Sequence, residues 1–169
     1  MGGRPTTKGV QAAPVTNWTQ VAVAVFVLVL GTLVYVLDRS SESVPFFSAV
    51  SLAHLLPGLF GRIGESLPTF SHVFAFSLLT AAWFGGGRNT GLAACLVWFG
   101  VDAAFEVGQH PQIAPELAQL VPAWFDSLPI LSQSGGYFLL GTFDAWDLTS
   151  IAMGAGTAYV FISWISSRD

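Results

Sequence analysis

Val21 to Leu37, Leu67 to Gly85, Thr90 to Gly108 and Trp146 to Ile165 are long apolar runs almost free of charge. Each is close to the roughly 20 residues that a helix needs to cross a bilayer. The pattern predicts an all-α fold, a polytopic membrane helical bundle with four transmembrane helices at about 20–38, 67–85, 90–108 and 146–165. Composition agrees: 53% of residues are hydrophobic and 9% charged, where soluble domains carry about 25% charge.

The 169 residues suit one compact helical unit, with a flexible tail at 1–16 and a single bundle over 17–169. The formal charge of -4 comes from ten acids against six bases, with no basic cluster to neutralise a phosphate backbone, so nucleic acid is not expected as a partner. Cys95 is the one cysteine; it lies within an apolar run and reads as a small core residue. The first run follows Arg4 and Lys8 as a secretory signal would. It is longer than a usual signal core, and Asp38-Arg39-Ser40-Ser41 follows it in place of a cleavage site, which favours a retained anchor.

Pro68 is expected in the first turn of the second helix, with Ser66 as its cap. Gly85-Gly86-Gly87 is expected to end that helix and turn into the third. No Gly-Lys-Ser/Thr follows, so the run does not read as a phosphate loop. Two further segments read as interfacial or re-entrant. Val44 to Phe60 is bracketed by Pro45 and Pro57 and contains His54. Pro115 to Leu128 repeats Leu117, Leu120, Val121, Trp124 and Leu128 at helical spacing, with Pro122 breaking it. Trp18, Trp124, Trp146 and Trp164 fall where an aromatic belt requires them.

With four spans and the N-terminus inside, the cytoplasmic side receives Arg4, Lys8, Arg88 and Arg168, and the outer side Arg39 and Arg62. Both termini are therefore expected in the cytoplasm. The loop from Gln109 to Ala145, without Lys or Arg, then lies outside. This topology gathers the few polar residues at one end. His72 is expected near the start of the second helix. Asp102, Glu106 and Gln109 share a stripe closing the third, and Asp144 and Asp147 open the fourth, whose dipole favours negative charge. Ionisable groups are costly at bilayer depth, so this cluster is the candidate site.

The order His-Val-Phe-Ala-Phe-Ser-Leu-Leu from His72, Phe-Glu-Val-Gly-Gln ending at Gln109, and Gly-Thr-Phe-Asp-Ala-Trp-Asp-Leu from Gly141 resembles the VanZ-like membrane proteins over roughly residues 67 to 160. That family typically shows Asp-Lys before the His, Glu-x-x-Gln closing the next helix, and an Arg with Asp-x-x-Asp-x-x-x-Asn opening the last. Here Pro68 and Thr69 replace Asp-Lys, no Arg precedes Asp144, and Ile151 stands at the Asn position, so the family's basic charge is missing. The resemblance implies a multi-pass cell-envelope protein of the bacterial inner membrane with an accessory role in resistance to lipophilic glycopeptides.

Several activities fit such a cluster. It can handle a membrane lipid or amphiphile at the outer face, serve as an intramembrane hydrolase or transferase, or tie helices together in a non-catalytic accessory subunit of a larger membrane complex. His72 donating to Glu106, Gln109 bonding the loop and Asp144 capping the fourth helix would make a purely structural tie. Asp102, deeper and with no cation in its own helix, is expected protonated and hydrogen-bonded. No cofactor is expected. Imidazole with carboxylates also suits a divalent metal, although no spacing selects one. Ala152 to Gly156 and Gly154 to Ala158 are small-residue pairs that permit close helix approach or a homodimer seam. Ser71 beside His72 lacks a nucleophile-elbow context and is not read as a nucleophile.

Overall fold

The computed structural model describes residues 16–38, 60–128 and 131–168, and every regular element in them is helical. The tail and the segment 44–59 with His54, each given a role by the sequence, lie outside the described residues. Four long helices, α1 (Trp18–Asp38), α2 (Gly61–Trp83), α3 (Arg88–Gly108) and α6 (Ala145–Ser166), form the bundle. Two short ones, α4 (Ala114–Leu120) and α5 (Ser134–Leu140), lie between α3 and α6, together with 3-10 turns at Ala123–Ser127 and Leu131–Gln133. By length and composition, α3 and α6 are each able to cross a membrane.

The central helix is α2, which packs against α1, α3 and α6, while α3 and α6 also meet each other. Small and aliphatic residues make this possible. Ala75, Leu78 and Ala81 of α2 are fully buried, together with Ala24 of α1 and Ala158 and Ile162 of α6. Buried positions of α1 (Gln20, Ala24, Gly31, Val34) and of α6 (Ile151, Gly154, Ala158, Ile162, Ile165) recur at steps of three, four or seven residues, the signature of one helix face. At Gly154 an added Cβ would lie 2.7 Å from the backbone oxygen of Phe70, and at Gly91 it would lie 2.5 Å from Ile162 Cγ2. Glycine at these two places lets α6 approach α2 and α3 more closely than any side chain would allow.

Antiparallel pairing follows from which ends meet. Gly31, late in α1, packs on Ser71 and Pro68, whereas Asn17 and Gln20, at the start of α1, pack on Gly86. The Ser166 hydroxyl at the end of α6 donates to the Gly86 carbonyl at 2.7 Å. One end of the bundle, the turn end, therefore holds the starts of α1 and α3 and the finishes of α2 and α6. The opposite, loop end holds the remaining helix termini and residues 109–144.

The α2 boundaries correct the sequence expectation. The helix starts at Gly61, not near Leu67, so Pro68 lies inside it and Ser66 is not its cap; the residue before the helix, Phe60, supplies no side-chain cap either. Proline inside a helix loses one backbone bond. Here Pro68 is buried against Gly31 of α1, and that packing offsets the loss. The helix closes at Trp83, with Gly85 and Gly86 at φ 97 and 67, a turn that favours glycine. Residues 114–127 form a short helix and a 3-10 turn separated at Val121 and Pro122, the break that Pro122 implies. Helix α5, which contains Gly135 and Gly136, has no counterpart in the sequence reading.

Large apolar side chains line the outside of the bundle. Phe26 and Val29 of α1, Leu96 and Val97 of α3, and Met153 and Val160 of α6 are all at least half exposed. Cys95 is buried in the core, as its apolar surroundings suggest.

Candidate functional site

At the loop end the structure gathers residues of α2, α3 and α6. One close contact joins His72 Nδ1 to Asp102 Oδ2 at 2.6 Å. The proton of this contact sits on Nδ1 when Asp102 is ionised and on Oδ2 when Asp102 is protonated and Nδ1 accepts. Asp102 therefore has a cationic or hydrogen-bonding partner on another helix, and the expected His72–Glu106 bond is not formed. The turn between α2 and α3 sets the pairing: His72 lies 11 residues before the end of α2 (83 − 72), and Asp102, 14 residues past the start of α3 (102 − 88), is nearer that depth than Glu106, at 18 (106 − 88).

Glu106 takes a different task. Its Oε1 accepts the backbone N–H of Asp144 at 2.6 Å, joining the last turn of α3 to the first residue before α6. Asp144 in turn caps α6, its Oδ1 accepting the Trp146 N–H at 2.9 Å. Asp147, in the first turn, accepts from the Thr69 hydroxyl of α2 at 3.4 Å. Gln109 follows α3, and its side chain lies so close against Gly141 that a Cβ there would have no room. Glu106, Gln109, Asp144 and Asp147 thus lie at the loop end, while His72, the middle residue of α2, meets Asp102 deeper in the same seam, so the six residues divide into two groups. His72 and Asp102 face each other across α2 and α3; Glu106, Asp144 and Asp147 knit α6 to its neighbours.

The two groups differ in access. The His72 side chain is 45% exposed, while Asp102 is 10% exposed. A buried carboxylate behind a half-open imidazole orients the ring and leaves Nε2 as the outward nitrogen, the arrangement that general bases share. Aromatic rings wall the imidazole. Phe76 meets it edge-on at 4.4 Å and Trp98 at 5.9 Å between centroids. Trp98 is itself held by its indole N–H, which donates to Thr80 at 2.8 Å. The sequence reading assigned no site role to Phe76, Thr80 or Trp98 and named Thr69 only as a departure from the family pattern. Their spacing is the available signal, since Thr69, Phe76 and Thr80 share the His72 stripe of α2 and Trp98 precedes Asp102 by one turn.

Among the described residues the neighbourhood of His72 carries acids and no Lys or Arg side chain. Such a site suits a hydrogen-bond donor or a cation better than a phosphate. Among the described residues no three His, Cys, Asp or Glu side chains are grouped as metal ligands. Ser71 is turned away from the site, buried beneath Gly31. His110 is a loop residue, its Nδ1 accepting the Gln112 N–H at 3.3 Å. Beside this seam, Ala104, Phe105, Leu117 and Phe138 line a shallow, open apolar groove between α3 and the loop helices.

Comparison with protein-family models, with curated proteins and with solved structures finds no match to this chain.

Proposed function

We propose that this chain is a four-span membrane protein whose loop end faces outward from a bacterial plasma membrane, both termini being cytoplasmic, and handles the polar head of an amphiphile there. The large apolar side chains around the bundle support membrane residence, because a soluble monomer rarely exposes so much contiguous apolar surface. Arg88 and Arg168 at the turn end, against Arg62 at the loop end among the described residues, support the orientation. The VanZ-like resemblance supports an envelope role touching lipophilic compounds.

One observation carries the reading: His72, oriented by Asp102 at 2.6 Å, keeps nearly half its side chain accessible beside Phe76 and Trp98. The open imidazole offers Nε2 to a hydroxyl or amine head group, and the rings offer apolar contact to the chain behind it. The test is titration of the purified protein in detergent with a fluorescent single-chain amphiphile bearing a hydroxyl head. Asp102→Asn is expected to weaken binding about tenfold, the equivalent of losing one charge-assisted hydrogen bond. Unchanged affinity in both Asp102→Asn and His72→Ala sinks the reading.

A further inference from the structure

Three rings meet at the half-open side of His72. Phe76 lies one turn further along α2 and Trp98 one turn before Asp102 on α3, and both are only partly buried, as His72 is. The imidazole stands at 65° to Phe76 and at 85° to Trp98, while Phe76 and Trp98 lie 4.7 Å apart between centroids and at 30° to each other. The imidazole plane thus crosses both of its neighbours, and the three rings make a corner instead of a stack. The Trp98 indole N–H is taken up by Thr80, so what this ring offers a guest is its π-system and not its donor. Rings set at angles around an opening hold a positively charged head by cation–π attraction.

The acids around this corner set the sign of its field. Asp102 touches His72, Glu106 lies one turn beyond Asp102 on α3, and Asp147 bonds Thr69, one turn before His72. Basic positions are remote. Arg62 stands ten residues before His72 (72 − 62) and Arg88 fourteen before Asp102 (102 − 88), or roughly 15 and 21 Å of helix. With His72 neutral, every acid that ionises makes the field more negative, which repels an anionic head and attracts a cationic one. The imidazole adds direction to that attraction. When Asp102 is ionised and Nδ1 carries the proton between them, Nε2 has a lone pair to offer a donor.

We propose that the head recognised at this corner is a primary ammonium, the protonated amine of a single-chain amphiphile. It donates to His72 Nε2 and lies against Phe76 and Trp98, with Asp102 supplying the opposite charge behind the imidazole. This assignment rests on the amphiphile reading of His72 and narrows it from a hydroxyl or amine head to the amine. The bound ammonium selects the state with Asp102 ionised and Nδ1 protonated, because only that state joins a free lone pair to a negative charge.

The test uses the purified full chain in a non-ionic detergent at neutral pH. It is titrated with three fluorescent amphiphiles that share one chain and differ only in the head: primary amine, hydroxyl or trimethylammonium. Empty micelles measure uptake by the detergent alone. The amine should bind about tenfold more tightly than the hydroxyl, the gain expected from a charged donor in place of a neutral one together with a cation–π contact. Trimethylammonium, which keeps the charge but has no N–H, should bind about fivefold more weakly than the amine. Asp102→Asn should bring amine and hydroxyl to equal affinity, and Trp98→Leu should weaken the amine about threefold while leaving the hydroxyl nearly unchanged. Equal affinities of the wild type for amine and hydroxyl overturn the ammonium assignment and leave the amphiphile site standing. Trimethylammonium binding as tight as the amine overturns donation to Nε2. A full amine preference in both Asp102→Asn and Trp98→Leu overturns the proposed corner. If none of the three binds above the level of empty micelles, the amphiphile reading itself falls. The wild-type series decides the assignment even where a variant fails to fold.

Discussion

Gly154→Ala tests the close approach on which the bundle depends. The added methyl would stand 2.7 Å from the Phe70 carbonyl oxygen, 3.3 Å from Val73 Cβ and 3.4 Å from the Phe74 nitrogen. The first of these is backbone inside α2, so it has no rotamer with which to yield. Helices α2 and α6 must part by roughly 0.5 Å, and a gap of that size forfeits about a quarter of each dispersion contact along the seam. Overpacking of this kind costs about 1–3 kcal/mol. Replacing a helical glycine by alanine returns up to about 1 kcal/mol. The net is a loss of up to about 2 kcal/mol, or a fall of up to about 8 °C in Tm for a chain of this size. Gly156 provides the internal control, because a Cβ there meets nothing within 4 Å. Gly156→Ala should hold or raise Tm by about 2–3 °C. Tryptophan fluorescence during thermal unfolding in detergent reads both variants. If the two alanines shift Tm in the same direction and by similar amounts, the α2–α6 contact is not set by Gly154, and the packing argument is wrong.

Further outcomes follow from the loop end and the core. Glu106→Ala should cost about 2 kcal/mol in the same unfolding assay by leaving the Asp144 N–H without its acceptor, whereas Glu106→Gln, which keeps an amide oxygen there, should cost less than half as much. Asp144→Ala should cost about 1 kcal/mol through loss of the α6 cap, and an equally stable variant would remove that role. Cys95, 4% exposed, should react with a maleimide only after denaturation, and fast labelling of the folded protein would contradict its burial. In a Cys95→Ser background, Asn89→Cys and Asp126→Cys should be labelled from opposite sides of intact vesicles; labelling from one side alone contradicts the four-span arrangement.

Much of the architecture is legible from local properties of the chain. The apolar runs around 20–38, 90–108 and 146–165 become α1, α3 and α6 with boundaries within two residues, because a long uncharged run with few glycines or prolines satisfies its own backbone only as a helix. Pro122 marks the break between α4 and the following 3-10 turn for an equally local reason, its missing N–H. Asp144 before an apolar run reads as a cap and is one. The gathering of the polar residues at one end also follows from the sequence, since antiparallel helices joined in order must alternate their ends.

Contacts between helices lie beyond such reasoning. The start of α2 at Gly61 contradicts the local signals of Pro68 and Ser66, because burial of Pro68 against Gly31 of α1 offsets a weak helix start, and that contact joins residues far apart in the chain. Distance from the α2–α3 turn pairs His72 with Asp102 and leaves Glu106 to hold the Asp144 amide. Partner choice at one depth is decided by axial register, and register is set by how glycines and small side chains let whole helices settle against one another. Residue types therefore announce that a polar site exists and at which end. Only the packed bundle decides which carboxylate faces the imidazole and that the ring stays open on its outer side.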